Sequence, residues 1–185
     1  MNSANEEKIR KLLEAGLEAC LKKLSSVSPG EWTLESVRVF DGEPAEAAQA
    51  GGAGQTAIVR VTVQGGPAFN TALLLARGDM THLSGCFIDD QVPWDGDSGR
   101  HVVAMLELGN IVLNVLINSL LKALKKSSIP SVPAYLVAEP DALAEGLAGP
   151  APFTLIAAVF TASRDGRAAK AQALAILPRT LSEEL

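Results

Sequence analysis

The chain has 185 residues, 48% of them hydrophobic and 20% charged, which supplies a packed core and excludes disorder. Sixteen Lys and Arg against twenty-one Asp and Glu leave a net charge of -5, with only 4% aromatics. Such a surface neither tracks phosphates nor stacks bases, so nucleic acid is not an expected partner. Cys20 and Cys86 are too few for a disulfide framework or a zinc site, and two histidines do not make a metal or triad centre. The opening MNSANEEKIRK is polar and carries no apolar signal segment. The longest apolar stretch, Val102 to Leu121, is interrupted by Glu107, Asn110, Asn114 and Asn118, too polar for an isolated membrane span. The expectation is a cytoplasmic protein with no membrane contact.

In chain order, Ile9, Leu12, Leu13, Gly16, Leu17, Cys20, Leu21 and Leu24 form one apolar stripe at helical period and predict a helix over 6–24. Cys20 falls on that stripe and is expected in the core. SSVSPG, residues 25–30, ends the helix, and the β-branched and aromatic run 32–40 predicts a strand. Residues 41–54 (DGEPAEAAQAGGAG) read as a linker. Residues 57–64 alternate as a half-buried strand, Gly65-Gly66 suits a tight turn, and 68–76 returns as its partner.

The second half follows the same plan. A long helix is predicted over 98–126, capped by Asp97 or Ser98, then a strand over 131–138 and a linker, AEPDALAEGLAGPAP. A hairpin closes it, 153–162 and 169–177 joined through Asp165-Gly166; the Lys170/Gln172 alternation favours strand over helix in the alanine-rich arm. Glu43-Pro44 and Glu139-Pro140 open the two linkers. The expected fold class is therefore α+β, one domain over 1–185. It would be an internally duplicated helix–strand–hairpin unit, with half-repeats at about 5–77 and 97–178 and two long helices on a mostly antiparallel sheet.

The helix over 98–126 is apolar on three sides: Val102, Val103, Met105, Leu106, Leu108, Ile111, Val112, Leu113, Val115, Leu116, Ile117 and Leu120. Glu107, Asn110, Asn114, Asn118, Lys122 and Lys125 form one narrow polar edge, within roughly 60° of a line along the helix. Asparagine is a mediocre helix former whose amide competes for backbone hydrogen bonds. A merely solvated edge would use Glu, Lys or Gln, so a carboxylate and a carboxamide one turn apart suggest a fixed pair presented to a docking partner. Other motifs fail on context. GGAG at 51–54 lacks the Lys-Ser/Thr of a phosphate loop, and DGDSG at 95–99 lacks the downstream glutamate of a calcium loop. His82 and His101 read as surface or packing residues.

The string ELGNIVLNVLINSLLKAL followed by SIPSVP resembles the signature of the CheC/CheX/FliY family of phosphatases acting on response-regulator receiver domains. That family carries Glu-x-x-Asn on a long helix and a proline further on. The match here is Glu107 and Asn110, with 22 residues, 111 to 132, before Pro133. The resemblance is best over 98–140. It implies hydrolysis of the aspartyl phosphate of a CheY-like receiver in chemotaxis, with Asn110 orienting the attacking water and Glu107 pairing with the receiver's active-site lysine. Asn114 and Pro133 would lie in the contact surface. No intrinsic cofactor is implied, since the Mg2+ required belongs to the receiver. Val103 stands where the family often has Asp or Ser, and Glu14 on the first helix is followed three residues on by Leu17, not Asn. A single site is therefore expected. Two further readings are a non-catalytic module of the same fold gripping a receiver or flagellar-switch component, and an adaptor assembled by strand pairing, a homodimer being one form of it.

Overall fold

A computed structural model describes residues 3–42, 55–88, 99–138 and 152–185. The GGAG segment, the Glu-Pro openings of both linkers, most of DGDSG and the Asp97/Ser98 cap lie outside the described residues. Helix α1 (Ser3–Val27) buries Ile9, Leu13, Leu17, Leu21 and Leu24, the stripe its spacing predicts. Cys20, expected among them, sits at the margin of the core and is only partly buried, because it falls off the centre of the stripe. Ser25 and Ser28 each turn a hydroxyl back onto the carbonyl four residues earlier, Leu21 and Leu24, which helps end the helix.

Strand β1 (Glu31–Gly42) leads across to the hairpin of β2 (Thr56–Gln64) and β3 (Phe69–Ala76). A single helical turn, Arg77–Asp79, then enters helix α2 (Met80–Ile88), which the sequence did not predict. The long helix is α3 (Gly99–Leu124), closed by Lys125 in the left-handed region at φ 53°. The strand expected over 131–138 is shorter, β5 (Ala134–Ala138), and a two-residue piece, β4 (Ile129–Pro130), precedes it; in the step between them Ser131 still donates its N–H to the Thr62 carbonyl at 2.8 Å. Strands β6 (Phe153–Arg164) and β7 (Arg167–Pro178) form the last hairpin, and a short helix α4 (Arg179–Ser182) follows. Gly65 (φ 78°), Asp165 (φ 53°) and Gly166 (φ 76°) take the positive φ that tight turns demand.

The sheet has seven strands in the order β1-β6-β7-β3-β2, with β4 and β5 both on the outer side of β2, and every pairing is antiparallel. The first strand of each half does not pair with its own hairpin. β1 lies along β6, and β5 along β2. The hairpins meet at β3 and β7, so the order reads alike from either edge when the halves are exchanged.

One face of the sheet carries the main core, where Val59, Val61, Val63, Leu73, Leu75, Ile156 and Phe160 meet α1, α2 and α3. A second apolar cluster, including Ile58, Leu74, Leu155, Leu174 and Ile176, occupies the opposite face. That second cluster corrects the expected alternation in β7. Lys170 is exposed and pairs with Glu35, but Gln172 on the same face is only 3% exposed, between Leu74 and Val159 across the neighbouring strands.

Candidate functional site

α3 positions every residue of the predicted pair. Among the described residues it is the helix long and apolar enough, by length and composition, to cross a bilayer. Here its apolar sides instead pack on α1, β2 and β3, burying Ala104, Met105, Leu108, Val112, Leu113, Leu116, Ile117 and Leu120. The outer edge carries Glu107, Asn118 and Lys122 exposed, with Asn110 and Asn114 half-buried. Two residues assigned to the apolar sides belong to this edge as well: Val103 is 58% exposed and Ile111 36%. The buried arc is narrower than the apolar count suggests, because only one flank of the helix meets the sheet and the other meets α1 and α2 over part of its length.

Glu107 makes no hydrogen bond or ion pair among the described residues and stands free on the surface. Asn110, three residues on, is held: Asn114 donates its Nδ2 to Asn110 Oδ1 at 2.8 Å, an i,i+4 bond along the helix edge. The level of the pair over the sheet is set by Gly109. A Cβ at that position would lie 2.5 Å from Val59 Cγ1 and 2.8 Å from Val59 Cβ, so the helix backbone rests directly on β2. Val59 pairs with Tyr135 on β5, whose hydroxyl donates to Met80 Sδ at 3.2 Å. Pro133, half-buried, lies in the step between β4 and β5 two residues before Tyr135. It thus belongs to the strand edge next to the one α3 crosses at Gly109.

A surface cleft of about 500 Å³ opens beside Glu107 between α2 and the first turns of α3, lined by Phe87, Ile88, Arg100, Val103 and Ala104. The corresponding face of α1 carries no such pair. Arg10 donates to Glu14 at 2.6 Å, and Leu17, where the second motif residue would stand, is 1% exposed in the core. The remaining candidates for chemistry are structural. Cys86 is fully buried with its Sγ 3.6 Å from His82 Nε2, and burial pushes its thiol pKa up, away from a reactive thiolate. His101 is buried at 1% exposure. Among the described residues no three His, Cys, Asp or Glu side chains converge on a point where a metal could sit.

The sequence thus places Glu107 and Asn110 one turn apart on the polar edge of a long helix, where the structure has them. It misses the two exposed apolar residues beside the pair and the bond between the two asparagines, for which the i,i+4 spacing was the available signal.

No family model matches the sequence, and no curated protein matches it either. Solved structures do. FliY of Thermotoga maritima superposes with a TM-score of 0.72 at 12% identity, covering 100% of this chain and 94% of that one. The FliM middle domain of H. pylori gives 0.66 at 10% identity, covering 100% of both chains. CheX of Borrelia burgdorferi, solved in complex with CheY, BeF3 and Mg2+, gives 0.54 at 10% identity over 91% of this chain and 96% of that one. At such identities the likeness is one of backbone architecture, and it runs over nearly the whole length of each chain. The chain has the CheC/CheX/FliY-like fold.

Proposed function

We propose that this protein removes the phosphoryl group from the aspartyl phosphate of a CheY-like receiver docked against the outer edge of α3. The observation that carries the reading is the placement of Glu107 and Asn110 one turn apart on the edge of α3 that reaches solvent, with the carboxylate free and the carboxamide held. An acyl phosphate is already activated, so no protein nucleophile is required. Water attacks phosphorus, the bond from phosphorus to the aspartyl oxygen breaks, the carboxylate leaves unprotonated because its acid has a pKa of only about 3.9, and the water's protons stay with the phosphate formed. What remains for the enzyme is to place the water in line and exclude other geometries. Asn110 has the right chemistry for this, being neutral and so not repelling the phosphoryl oxygens, while offering both an acceptor for a water proton and donors. Glu107 would meet the receiver's active-site lysine and hold the docked helix edge in register. The Mg2+ of the reaction would be held by the receiver, where it offsets phosphoryl charge.

The test uses a phosphorylated CheY-like receiver and a phosphate-release time course, beside a titration of the same receiver carrying a stable phosphoryl mimic. Asn110→Ala should slow hydrolysis by roughly a hundredfold, the scale of losing one preorganised polar group, and leave binding nearly unchanged. Glu107→Ala should weaken both. A second reading, a binding module without hydrolysis, draws on Val103 at the position where the resembling phosphatases often carry Asp or Ser, and on the closer superposition with a FliM middle domain than with CheX. Binding of the mimic with an unchanged phosphate lifetime would establish that module and end the phosphatase reading.

A further inference from the structure

We infer that Asn114 is a positioning residue that sets which end of the Asn110 carboxamide faces a docked partner. The inference rests on the proposed role of Asn110 for its functional consequence, and on the 2.8 Å bond from Asn114 Nδ2 to Asn110 Oδ1 for its geometry. The terminal torsion of asparagine is broad and roughly twofold, so an exposed carboxamide with no partner samples both amide orientations. In one, oxygen and nitrogen occupy each other's places in the other. For a group that must accept a hydrogen bond from water while donating one toward a phosphoryl oxygen, the two orientations are not equivalent. The bond couples the two amides, so Asn110 does not turn over unless Asn114 turns with it, and the structure holds them with Asn114 as the donor. It engages one lone pair of Oδ1 and leaves the second lone pair and both Nδ2 protons of Asn110 to a partner. It also polarises the amide, which strengthens those N–H donors.

No other described side chain bonds to Asn110. Glu107, on the preceding turn, can accept but not donate when ionised. It makes no bond to the carboxamide here. Asn118, a further turn along, is exposed and makes no bond to Asn114, so the chain of contacts ends with this pair. The stripe of three asparagines therefore resolves into unlike parts: one presented amide, one amide that orients it, and one solvated residue.

The direction of the bond makes the idea testable. Asn114→Ala removes the donor and lets Asn110 sample both orientations, so hydrolysis should fall only about twofold, the loss of a single modest orienting bond. Asn114→Asp replaces the donor with an ionised acceptor, which draws Asn110 Nδ2 toward it and reverses the amide. Here the rate should fall by about tenfold or more, since hydrogen bonds to charged groups are the stronger ones. Binding of the receiver carrying its phosphoryl mimic should change by less than about threefold, as for a partly exposed charge that still reaches solvent at the rim of the helix edge.

Both substitutions should then be repeated in Asn110→Ala. If Asn114 acts through Asn110, the Asp effect on rate collapses to what its charge does to binding. An equal loss in both backgrounds overturns the inference, because Asn114 would be touching the substrate itself. Side-chain amide spectra of the 15N-labelled protein provide a readout that does not depend on hydrolysis. One Asn114 Nδ2 proton should carry a hydrogen-bond shift that disappears in Asn110→Ala, and Asn114→Asp should transfer such a shift to Asn110 Nδ2. Absence of the wild-type shift overturns the inference. Its presence in a protein that hydrolyses nothing supports the orientation and removes the phosphatase reading alone.

Discussion

Replacing Gly109 by alanine tests how α3 is seated, and the sign of the result is decided by two opposed magnitudes. A glycine inside a helix is normally a weakness, and alanine there gains about 1 kcal/mol. At an unconstrained position Gly109→Ala should therefore raise the melting temperature by about 2–4 °C for a chain of this size. The structure predicts the opposite. The new Cβ would lie 2.5 Å from Val59 Cγ1 and 2.8 Å from Val59 Cβ, against carbon contacts that are optimal at about 3.5–4.0 Å. Val59 is fully buried and has Leu73 and Tyr135 opposite it on the flanking strands, so its side chain has little room to turn away. The helix must rise off β2 by about 1 Å to restore a 3.5 Å contact.

Overpacking of this kind costs about 1–3 kcal/mol, and after the gain in helix propensity a net loss of up to about 2 kcal/mol remains, a fall in melting temperature of up to roughly 8 °C. Thermal and urea unfolding measure it. In a double-variant cycle with Val59→Ala the two losses should be less than additive, because the 2.5 Å contact disappears. Recovery should be incomplete, because the 2.8 Å contact with the β-carbon stays. A stabilised Gly109→Ala, or strict additivity, would refute the seating of α3 on Val59. The same displacement moves Asn110, the next residue, so phosphate release should slow in this variant even at temperatures where it is fully folded.

Further outcomes follow from other parts of the molecule. Glu14→Ala removes only the surface ion pair with Arg10, so stability should change by no more than about 0.5 kcal/mol, with phosphate release unaltered; a large loss of rate in a folded variant would place the site on α1. Thr154 donates to Asp41 at 2.9 Å and, with the nearby Arg179, holds that carboxyl below its usual pKa. Its stabilising contribution is complete above the unfolded value of about 3.9 and lost as pH falls through the lower folded value, so Asp41→Asn should flatten the acid limb of an unfolding-versus-pH curve. Thr154→Val removes the bond to Asp41 and the 2.7 Å contact with Ser182, whose hydroxyl keeps the Arg179 carbonyl at 2.9 Å, so it should cost about 0.5–1.5 kcal/mol in chemical unfolding; a neutral result would mean that the Thr154 hydroxyl contributes nothing net.

Much of this architecture is local and therefore readable from the residues in order. The period-3.6 stripe of α1, the alternation of β2, the turns at Gly65 and Asp165-Gly166, and the long α3 are each set by neighbours within a few positions. The Glu107–Asn110 pair and its polar edge were legible for the same reason, since spacing along a helix fixes which residues share a side. Helix α2 was not legible. Its nine residues, MTHLSGCFI, bury Met80, Leu83, Ser84, Gly85 and Cys86 against several elements at once, and a helix covered on most sides shows no amphipathic period. Tertiary structure alone decided that β1 pairs with β6 and β5 with β2, because strand partners so far apart in the chain leave no mark on local spacing. It also decided that Gln172 is buried and that Val103 and Ile111 are not, since burial depends on which faces other elements cover. The bond within the asparagine stripe is intermediate: spacing put Asn110 and Asn114 on one edge within reach of each other, and only side-chain geometry made Asn114 the donor.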